Sequence, residues 1–148
     1  MIEMKRVTDI PELLKWRQEV ILNVFGKMPS QELMEQNRIY YEKHIPDGSH
    51  IAYVALKDGV QVGTGSICLS EELPSPDNYS GLCAYLMNIY VRAPYRQHGV
   101  GHCIVKKLLE IAMNGGCGKI YLETTSDGRG VYESLGFKDM ADMMKFTS

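Results

Sequence analysis

The segment from residue 83 to residue 125 constrains the fold of this chain more than any other part of the sequence. It opens with CAYLMNIYV, a continuous apolar and aromatic run of the kind found in a central strand covered on both faces. A loop with glycines at positions 99 and 101 follows, then a helical pattern of apolar residues, then a second apolar run, KIYLETT. A strand, a helix and a strand in this order predict two neighbouring parallel strands within one sheet.

The first 48 residues predict a short strand followed by two helices. In the opening MIEMKRVT, the apolar residues Ile2 and Met4 alternate with the charged residues Glu3 and Lys5, which indicates a strand. Asp9 is placed to cap the first helix, with Glu12 as its capping-box partner, and Gly26 ends that helix. Ser30 is placed to cap the second helix, which ends at the turn sequence PDG.

The remaining segments complete a mixed α/β arrangement. IAYVAL and VQVGTGSICLS predict two strands joined by a hairpin turn at Asp58 and Gly59. GVYESLGF predicts a short helix, and the tail from Lys138 to Phe146 predicts a final strand. The sequence therefore predicts one domain over residues 1–148, with a mostly antiparallel sheet, one parallel strand pair and about four flanking helices.

Composition narrows the class of protein. Of the 148 residues, 45% are apolar and 23% are charged, as is usual for a soluble globular domain. The net charge of −2 argues against a general attraction to nucleic acid or to an anionic membrane. No run approaches the roughly 18 apolar residues of a membrane span, and the first residues lack the apolar core of a signal peptide. We therefore expect a cytoplasmic protein that binds neither nucleic acid nor membrane.

The cysteines and histidines do not form a metal-binding pattern. The four cysteines are too far apart in sequence for a CxxC pair, and they fit free thiols in a reducing compartment better than disulfides. His98 and His102 are four residues apart, but no acidic residue or cysteine has the spacing to complete a zinc site. We expect no bound metal ion.

The loop RQHGVG, residues 96–101, predicts a site for phosphate groups. A helix that begins after a glycine-containing loop presents unpaired N–H groups and the positive end of its dipole, and Arg96 adds a fixed charge there. The Walker pattern GxxxxGK[ST] is absent, which disfavours an ordinary P-loop nucleotidase. The Rossmann fingerprint fails as well, because Ile104 stands where its third glycine would be.

Two segments together carry a resemblance to a known family. VRAPYRQHGVGHCIVKKLLE, followed downstream by VYESLGF, resembles the acetyl-coenzyme A-binding core of the GNAT N-acetyltransferase superfamily. The likeness covers the whole chain in element order and about 55 residues, 83 to 137, at the level of motifs. It implies a GNAT-like fold, acetyl-CoA as co-substrate, and direct transfer of an acetyl group to a primary amine of a small molecule or peptide.

The resemblance also implies a role for particular residues. Backbone amides of the loop would hold the pyrophosphate, and the end of the CAYLMNIYV strand, at a bulge, would meet the pantetheine arm and the thioester carbonyl. The cofactor-binding residues implied in this way are Ile89, Tyr90, Val91, Arg96, Gln97, His98, Gly99, Val100, Gly101, His102 and Thr125. Gln97 stands where family members often have glycine, and Thr125 stands where many have asparagine.

The resemblance places Tyr132 in the position of the general acid. Attack of an amine on a thioester expels a thiolate, and a hydroxyl held against the sulfur can protonate it. The ammonium form of the acceptor must also lose a proton. Glu123 is the first candidate for that base, and Glu71, Glu72 and His50 are alternatives.

Two other functions remain open at the level of sequence. One is a coenzyme A-binding sensor or regulatory module without turnover, against which the presence of Tyr132 argues. The other is an enzyme with Cys83 or Cys103 as nucleophile, although no His–carboxylate relay is visible for either thiol. The sequence identifies neither the acceptor amine nor the oligomeric state, and a homodimer is one option.

Overall fold

The computed structural model describes residues 1–148 and contains one five-stranded sheet with four helices. The strands are β1 (Ile2–Val7), β2 (His50–Lys57), β3 (Val60–Glu71), β4 (Leu82–Val91) and β5 (Lys119–Leu122). The helices are α1 (Ile10–Phe25), α2 (Gln31–His44), α3 (Val100–Asn114) and α4 (Arg129–Ser134), and a 3₁₀ turn covers Ala93–Tyr95. None of these helices combines the length and the apolar character needed to cross a bilayer.

The sheet has the predicted mixture of strand directions. Its strands lie in sequence order, β1-β2-β3-β4-β5, and each neighbouring pair is antiparallel except for β4 and β5, which are parallel. Helix α3 makes the crossover between those two strands. The α/β architecture predicted from residues 83–125 is therefore confirmed.

Local turn and cap signals are largely confirmed. Asp58 and Gly59 have φ values of 50° and 83°, which is the left-handed pair required by a type I′ hairpin turn. The Asp9 carboxylate accepts the N–H of Glu12 at 3.0 Å, and the Ser30 hydroxyl accepts the N–H of Leu33 at 3.1 Å. The predicted role of Glu12 as the capping-box partner of Asp9 is wrong. The Glu12 carboxylate instead accepts a hydrogen bond from the Gln61 amide at 3.0 Å.

The core has two parts, one on each face of the sheet. Helix α3 lies on one face, where Ile104 and Leu108 are fully buried. It approaches β3 so closely that a Cβ at Gly65 would lie 2.5 Å from Ile104 Cγ2, so only glycine fits there. Helices α1 and α2 cover the opposite face, with Trp16 and Tyr41 buried in the second cluster.

Two predicted elements near the carboxyl end are wrong. The tail from Lys138 to Phe146 contains no strand, and KIYLETT is a strand only as far as Leu122. A strand needs a hydrogen-bonded partner, and the pairing of β5 with β4 stops at Leu122. Glu123 and Thr125 therefore lie in the segment after β5 and not within a strand.

Candidate active site

Strand β4 contains a bulge near its carboxyl end, as predicted. Met87 pairs with Ser66 and Tyr90 pairs with Thr64, so two residues of β4, Asn88 and Ile89, lie opposite Gly65 alone. Asn88 has a φ of 57°, a left-handed conformation that asparagine tolerates better than most residues. The bulge changes the direction of the backbone at Ile89 and Tyr90.

Strands β4 and β5 separate just before this bulge. Their last paired residues are Leu86 and Leu122, after which β4 continues along β3 as far as Val91. β5 ends at that pair, so the β4 bulge has no strand beside it on that side. The gap leaves the backbone of Ile89, Tyr90 and Val91 without a neighbouring strand on the β5 side.

The RQHGVG loop is fixed to the end of β4. The Arg96 guanidinium donates a hydrogen bond from Nε to the carbonyl of Val91 at 2.9 Å, and its Cζ lies 5.9 Å from the centroid of the Tyr90 ring. Gln97 has a φ of 62° and Gly99 has a φ of 83°. Gln97 thus adopts the left-handed conformation that glycine favours, so the loop keeps this backbone geometry although a non-glycine residue is strained in it.

The start of α3 presents free hydrogen-bond donors. The backbone N–H groups of residues 99–102 have no partner in the protein, and the first that has one is Cys103 N–H, which donates to the Gly99 carbonyl at 3.1 Å. A Cβ at Gly101 would have only Val91 Cγ2 near it, at 3.9 Å. This arrangement is an open anion cradle, since four N–H groups and the positive end of the helix dipole face the same space.

Two basic side chains lie around the cradle. His98 is exposed, and its Nδ1 lies 3.4 Å from Lys57 Nζ at the end of β2. His102 is exposed on the first turn of α3. With Arg96, these groups make the surroundings of the cradle suitable for phosphate groups.

Tyr132 and Glu123 line one cavity of about 370 Å³ beside β5. Its other walls include Tyr121, Phe137, Met143 and Met144. Tyr132 is half-buried on α4, and its ring meets that of Phe137 edge to face at 5.9 Å. Burial raises the pKa of Tyr132, so its hydroxyl keeps its proton throughout the neutral range.

Of the candidate bases, only Glu123 lines this cavity. Glu71 is exposed at the end of β3, and Glu72 forms an ion pair with Lys119 at 2.8 Å, which lowers the pKa of the Glu72 carboxyl. His50 is buried beneath α2, and desolvation lowers its pKa to about 4. The structure therefore separates these three residues from Tyr132.

Thr125 lies outside the cavity, on an exposed turn. Its carbonyl accepts hydrogen bonds from the N–H of Gly128 at 3.2 Å and from the hydroxyl of Thr124 at 2.9 Å. The structure thus gives the Thr125 backbone a role in shaping the turn that leads into α4.

The four cysteines lie outside this cavity. All four are free thiols. Cys83 is buried, and that burial raises its pKa, which disfavours a nucleophilic thiolate. Neither Cys83 nor Cys103 lines the cavity. No group of three or more His, Cys, Asp and Glu side chains is placed to hold a metal ion.

Two features of the site were missed in the sequence. The tail residues Met140, Met143 and Met144 line the cavity, although they were predicted to belong to a strand. Asn88 occupies the bulge and contacts Arg17 of α1. A single asparagine inside an otherwise apolar strand was the available signal for the bulge, whereas nothing in the sequence connects it with Arg17.

Comparison with known proteins agrees with this geometry. The model of the acetyltransferase (GNAT) family matches residues 12–137. The chain belongs to the GNAT acetyltransferase family. A curated relative, thialysine N-epsilon-acetyltransferase from Sus scrofa, is 30% identical over 125 residues, which is 69% of this chain and 73% of the relative. This GNAT protein is accordingly an acyltransferase.

Solved structures share the GNAT fold. A predicted acetyltransferase from Clostridium acetobutylicum, crystallised with acetyl-CoA, superposes with a TM-score of 0.87 at 21% identity, covering 99% of this chain and 96% of that one. Glucosamine-6-phosphate N-acetyltransferase from Arabidopsis thaliana has a TM-score of 0.73 at 17% identity, covering 99% and 98%. At these identities the likeness establishes the fold of the chain.

Proposed function

We propose that this protein is an acetyl-CoA-dependent N-acetyltransferase that transfers the acetyl group directly to a primary amine of a small molecule or peptide. The observation that carries the proposal is the open cradle of N–H groups at residues 99–102, fixed to the end of β4 where β4 and β5 have separated. The cavity containing Tyr132 and Glu123 lies beside the same pair of strands.

The cradle fits the pyrophosphate of coenzyme A. Its four N–H groups need acceptors, and Gly101 adds no side chain beside them, where a Cβ would meet only Val91 Cγ2 at 3.9 Å. Arg96, Gln97, His98 and His102 supply the polar surroundings, while Gly99 and Val100 begin the helix. Bound coenzyme A would supply the acetyl group as a thioester.

The β4 bulge would hold the reacting carbonyl. Ile89, Tyr90 and Val91 present backbone groups to the gap between β4 and β5, and an N–H there would stabilise the oxyanion that forms when the amine attacks. The side chains of these residues have a separate role, because Tyr90 is buried under α1 and Ile89 packs toward α3.

Tyr132 would donate a proton to the departing thiolate. Its raised pKa keeps the hydroxyl in the donor form, and its ring is held by Phe137. Glu123 would accept the proton of the incoming ammonium group, because it is the candidate base that shares the cavity with Tyr132. Thr125 would take part only through the turn that positions α4.

The acceptor would be a cationic amine that enters beside Glu123. A carboxylate attracts an ammonium group, and Tyr121 adds an aromatic ring to the same wall. The names of the relatives are consistent with small amine-bearing acceptors, since they specify thialysine and glucosamine 6-phosphate. We further propose that the protein acts as one domain in the cytoplasm.

A thiol-release assay tests the proposed function. Purified protein is incubated with acetyl-CoA and a panel of amines that includes thialysine, lysine, polyamines, amino sugars and a lysine peptide. We expect free coenzyme A and acetylated amine to appear in equal amounts for at least one acceptor. Binding of coenzyme A without release on any amine would contradict the proposal and favour the non-catalytic sensor, which no structural observation otherwise supports.

A further inference from the structure

Asn88 occupies a backbone conformation that needs support. Its φ of 57° lies in the left-handed region, and it stands in the one segment where the register of β3 and β4 shifts. A non-glycine residue is held in that region at a cost, and it persists where the surroundings determine it. The support comes through a hydrogen bond that the Asn88 side chain accepts.

Arg17 of α1 holds the Asn88 side chain. Its Nη1 donates to Asn88 Oδ1 at 2.8 Å, and its Nε donates to Asn37 Oδ1 of α2 at 3.0 Å. The Asn37 amide in turn donates to the Leu33 carbonyl at 2.8 Å. A chain of directed hydrogen bonds therefore runs from α2 through α1 to the β4 bulge.

The guanidinium of Arg17 is held by its two hydrogen bonds, to Asn88 and to Asn37. A second contact joins the same helix to the end of β4 two residues further along α1, where Glu19 accepts two hydrogen bonds from Arg92, each 2.9 Å long. None of the ion pairs in the protein involves Arg17. Its planar donors are directed at two amide oxygens, which makes the contact with Asn88 directional.

We propose that Arg17 is a positioning residue for acetyl transfer, which holds Asn88 in its left-handed conformation and thereby sets the direction of the Ile89 N–H at the bulge. The inference rests on the proposed function, in which backbone groups after the bulge face the thioester carbonyl. A donor of that kind works only when it is aligned with the oxygen that gains charge, so a small rotation of the peptide reduces the rate.

A double-mutant cycle tests this role. Arg17→Gln removes the anchor, and Asn88→Gly replaces the anchored residue by one that adopts a positive φ without help. The four proteins of the cycle are compared for kcat, for the Kd of coenzyme A and for Tm. Arg38→Gln is the matched control, because Arg38 is an arginine on the exposed face of α2 that pairs with Glu35 and Glu42.

With Asn88 present, we expect Arg17→Gln to lower kcat by roughly tenfold to a hundredfold and to change the Kd of coenzyme A by less than about twofold. In the Asn88→Gly background the same substitution should change kcat by less than about threefold. The Tm is expected to fall in both backgrounds, because the bond to Asn37 is lost in each. If the role of Arg17 were merely structural, Arg17→Gln would lower Tm, and its effect on kcat would be the same with and without Asn88→Gly.

Two outcomes would overturn the inference: a wild-type kcat in Arg17→Gln, or an equal loss in both backgrounds. Absence of turnover by the wild-type protein on every amine is a different result, since it overturns the proposed function. In that case the coupling between the amide and α protons of Asn88, measured by NMR, reports its φ directly. An unchanged coupling in Arg17→Gln would then reject the role of Arg17, and a changed coupling would support it.

Discussion

At the scale of single residues, Tyr132 has the properties required of a proton donor. It lines the cavity, and burial raises the pKa of its hydroxyl above the ordinary value near 10, so the hydroxyl is protonated at neutral pH. Its ring is held independently of the hydroxyl by Phe137. The chemical and structural roles of this side chain can therefore be separated by one substitution.

Tyr132→Phe should lower kcat by roughly 10²–10⁴-fold, because it removes the proton donor and keeps the aromatic contact. The Kd of coenzyme A should change little, because the phosphate cradle lies on α3 and not on α4. Steady-state kinetics on an accepted amine and a direct binding measurement on the same protein check both expectations.

Circular dichroism and Tm serve as the control for Tyr132→Phe, since a folded variant is needed to interpret its rate. A variant with kcat within about twofold of wild type would show that Tyr132 is a packing residue. The proton of the leaving group would then have to come from water or from the ammonium group of the acceptor.

At the scale of elements, the junction of β4 with α3 is the place where we propose that the cofactor binds. The Arg96 side chain ties the loop to Val91, and the first free N–H groups of α3 follow within a few residues. Gly99 has a φ of 83°, so a larger residue there is strained with or without a ligand. Gly101 has no such constraint, which makes it the more informative position to change.

We expect coenzyme A to raise the Tm of the wild-type protein and Gly101→Val to abolish that increase. Only Val91 Cγ2, at 3.9 Å, is near the added Cβ, which is an ordinary van der Waals contact, so the protein tolerates the Cβ itself. The branched side chain would occupy the space in front of the N–H groups, where a phosphate needs to approach closely. Thermal unfolding with and without coenzyme A measures the difference.

Cys103→Ala is the control for Gly101→Val, because it lies on the same turn of α3 and its N–H already donates to Gly99. This variant should keep both the shift in Tm and the activity. An undiminished shift in Gly101→Val would show that the phosphate groups bind elsewhere.

At the scale of the whole molecule, a buried polar cluster joins α2 to the sheet. The Tyr40 hydroxyl lies 2.8 Å from His50 Nδ1 and 2.8 Å from Cys68 Sγ, and His50 pairs with Cys68 across β2 and β3. His50 is only 2% exposed, and desolvation first, then the positive charges of His44 and Arg17, lowers its pKa to about 4. The imidazole is therefore neutral in the folded protein.

We expect His50 to make the stability of the protein sensitive to acid. Its pKa is about 4 when folded against 6.5 for the ordinary value, so the unfolded chain binds more protons between these limits. The contribution is complete above pH 6.5 and is lost as the pH falls toward 4. The loss is about 3 kcal/mol, measured as the free energy of urea unfolding at a series of pH values.

His50→Phe isolates this contribution from that of the carboxylates. Phenylalanine keeps an aromatic ring between Tyr40 and Tyr41 and cannot titrate, so the variant should lose less stability than wild type between pH 7 and 4. His102→Gln, at an exposed histidine, should retain the full dependence. Parallel curves for wild type and His50→Phe would contradict the assignment.

The sequence by itself determined the features that depend on neighbouring residues. The strand–helix–strand order of residues 83–125, the Asp58–Gly59 turn and the caps at Asp9 and Ser30 are all present in the structure. Each follows from a local rule, because periodicity, left-handed turns and unpaired N–H groups are properties of a few consecutive residues. The family motif adds the proposed phosphate cradle, whose unpaired N–H donors also lie within one short segment.

Only the tertiary structure decided the features that join distant residues. Arg17 and Asn88 are 71 positions apart, and the Glu12 carboxylate bonds to Gln61 in preference to its own helix terminus. The tail lines the cavity without forming a strand. Glu123 follows the last residue of β5 and lines the same cavity, whereas the other candidate bases do not. These outcomes depend on which surfaces the packed elements bring together, and because the partners are remote in sequence, no local pattern contains that information.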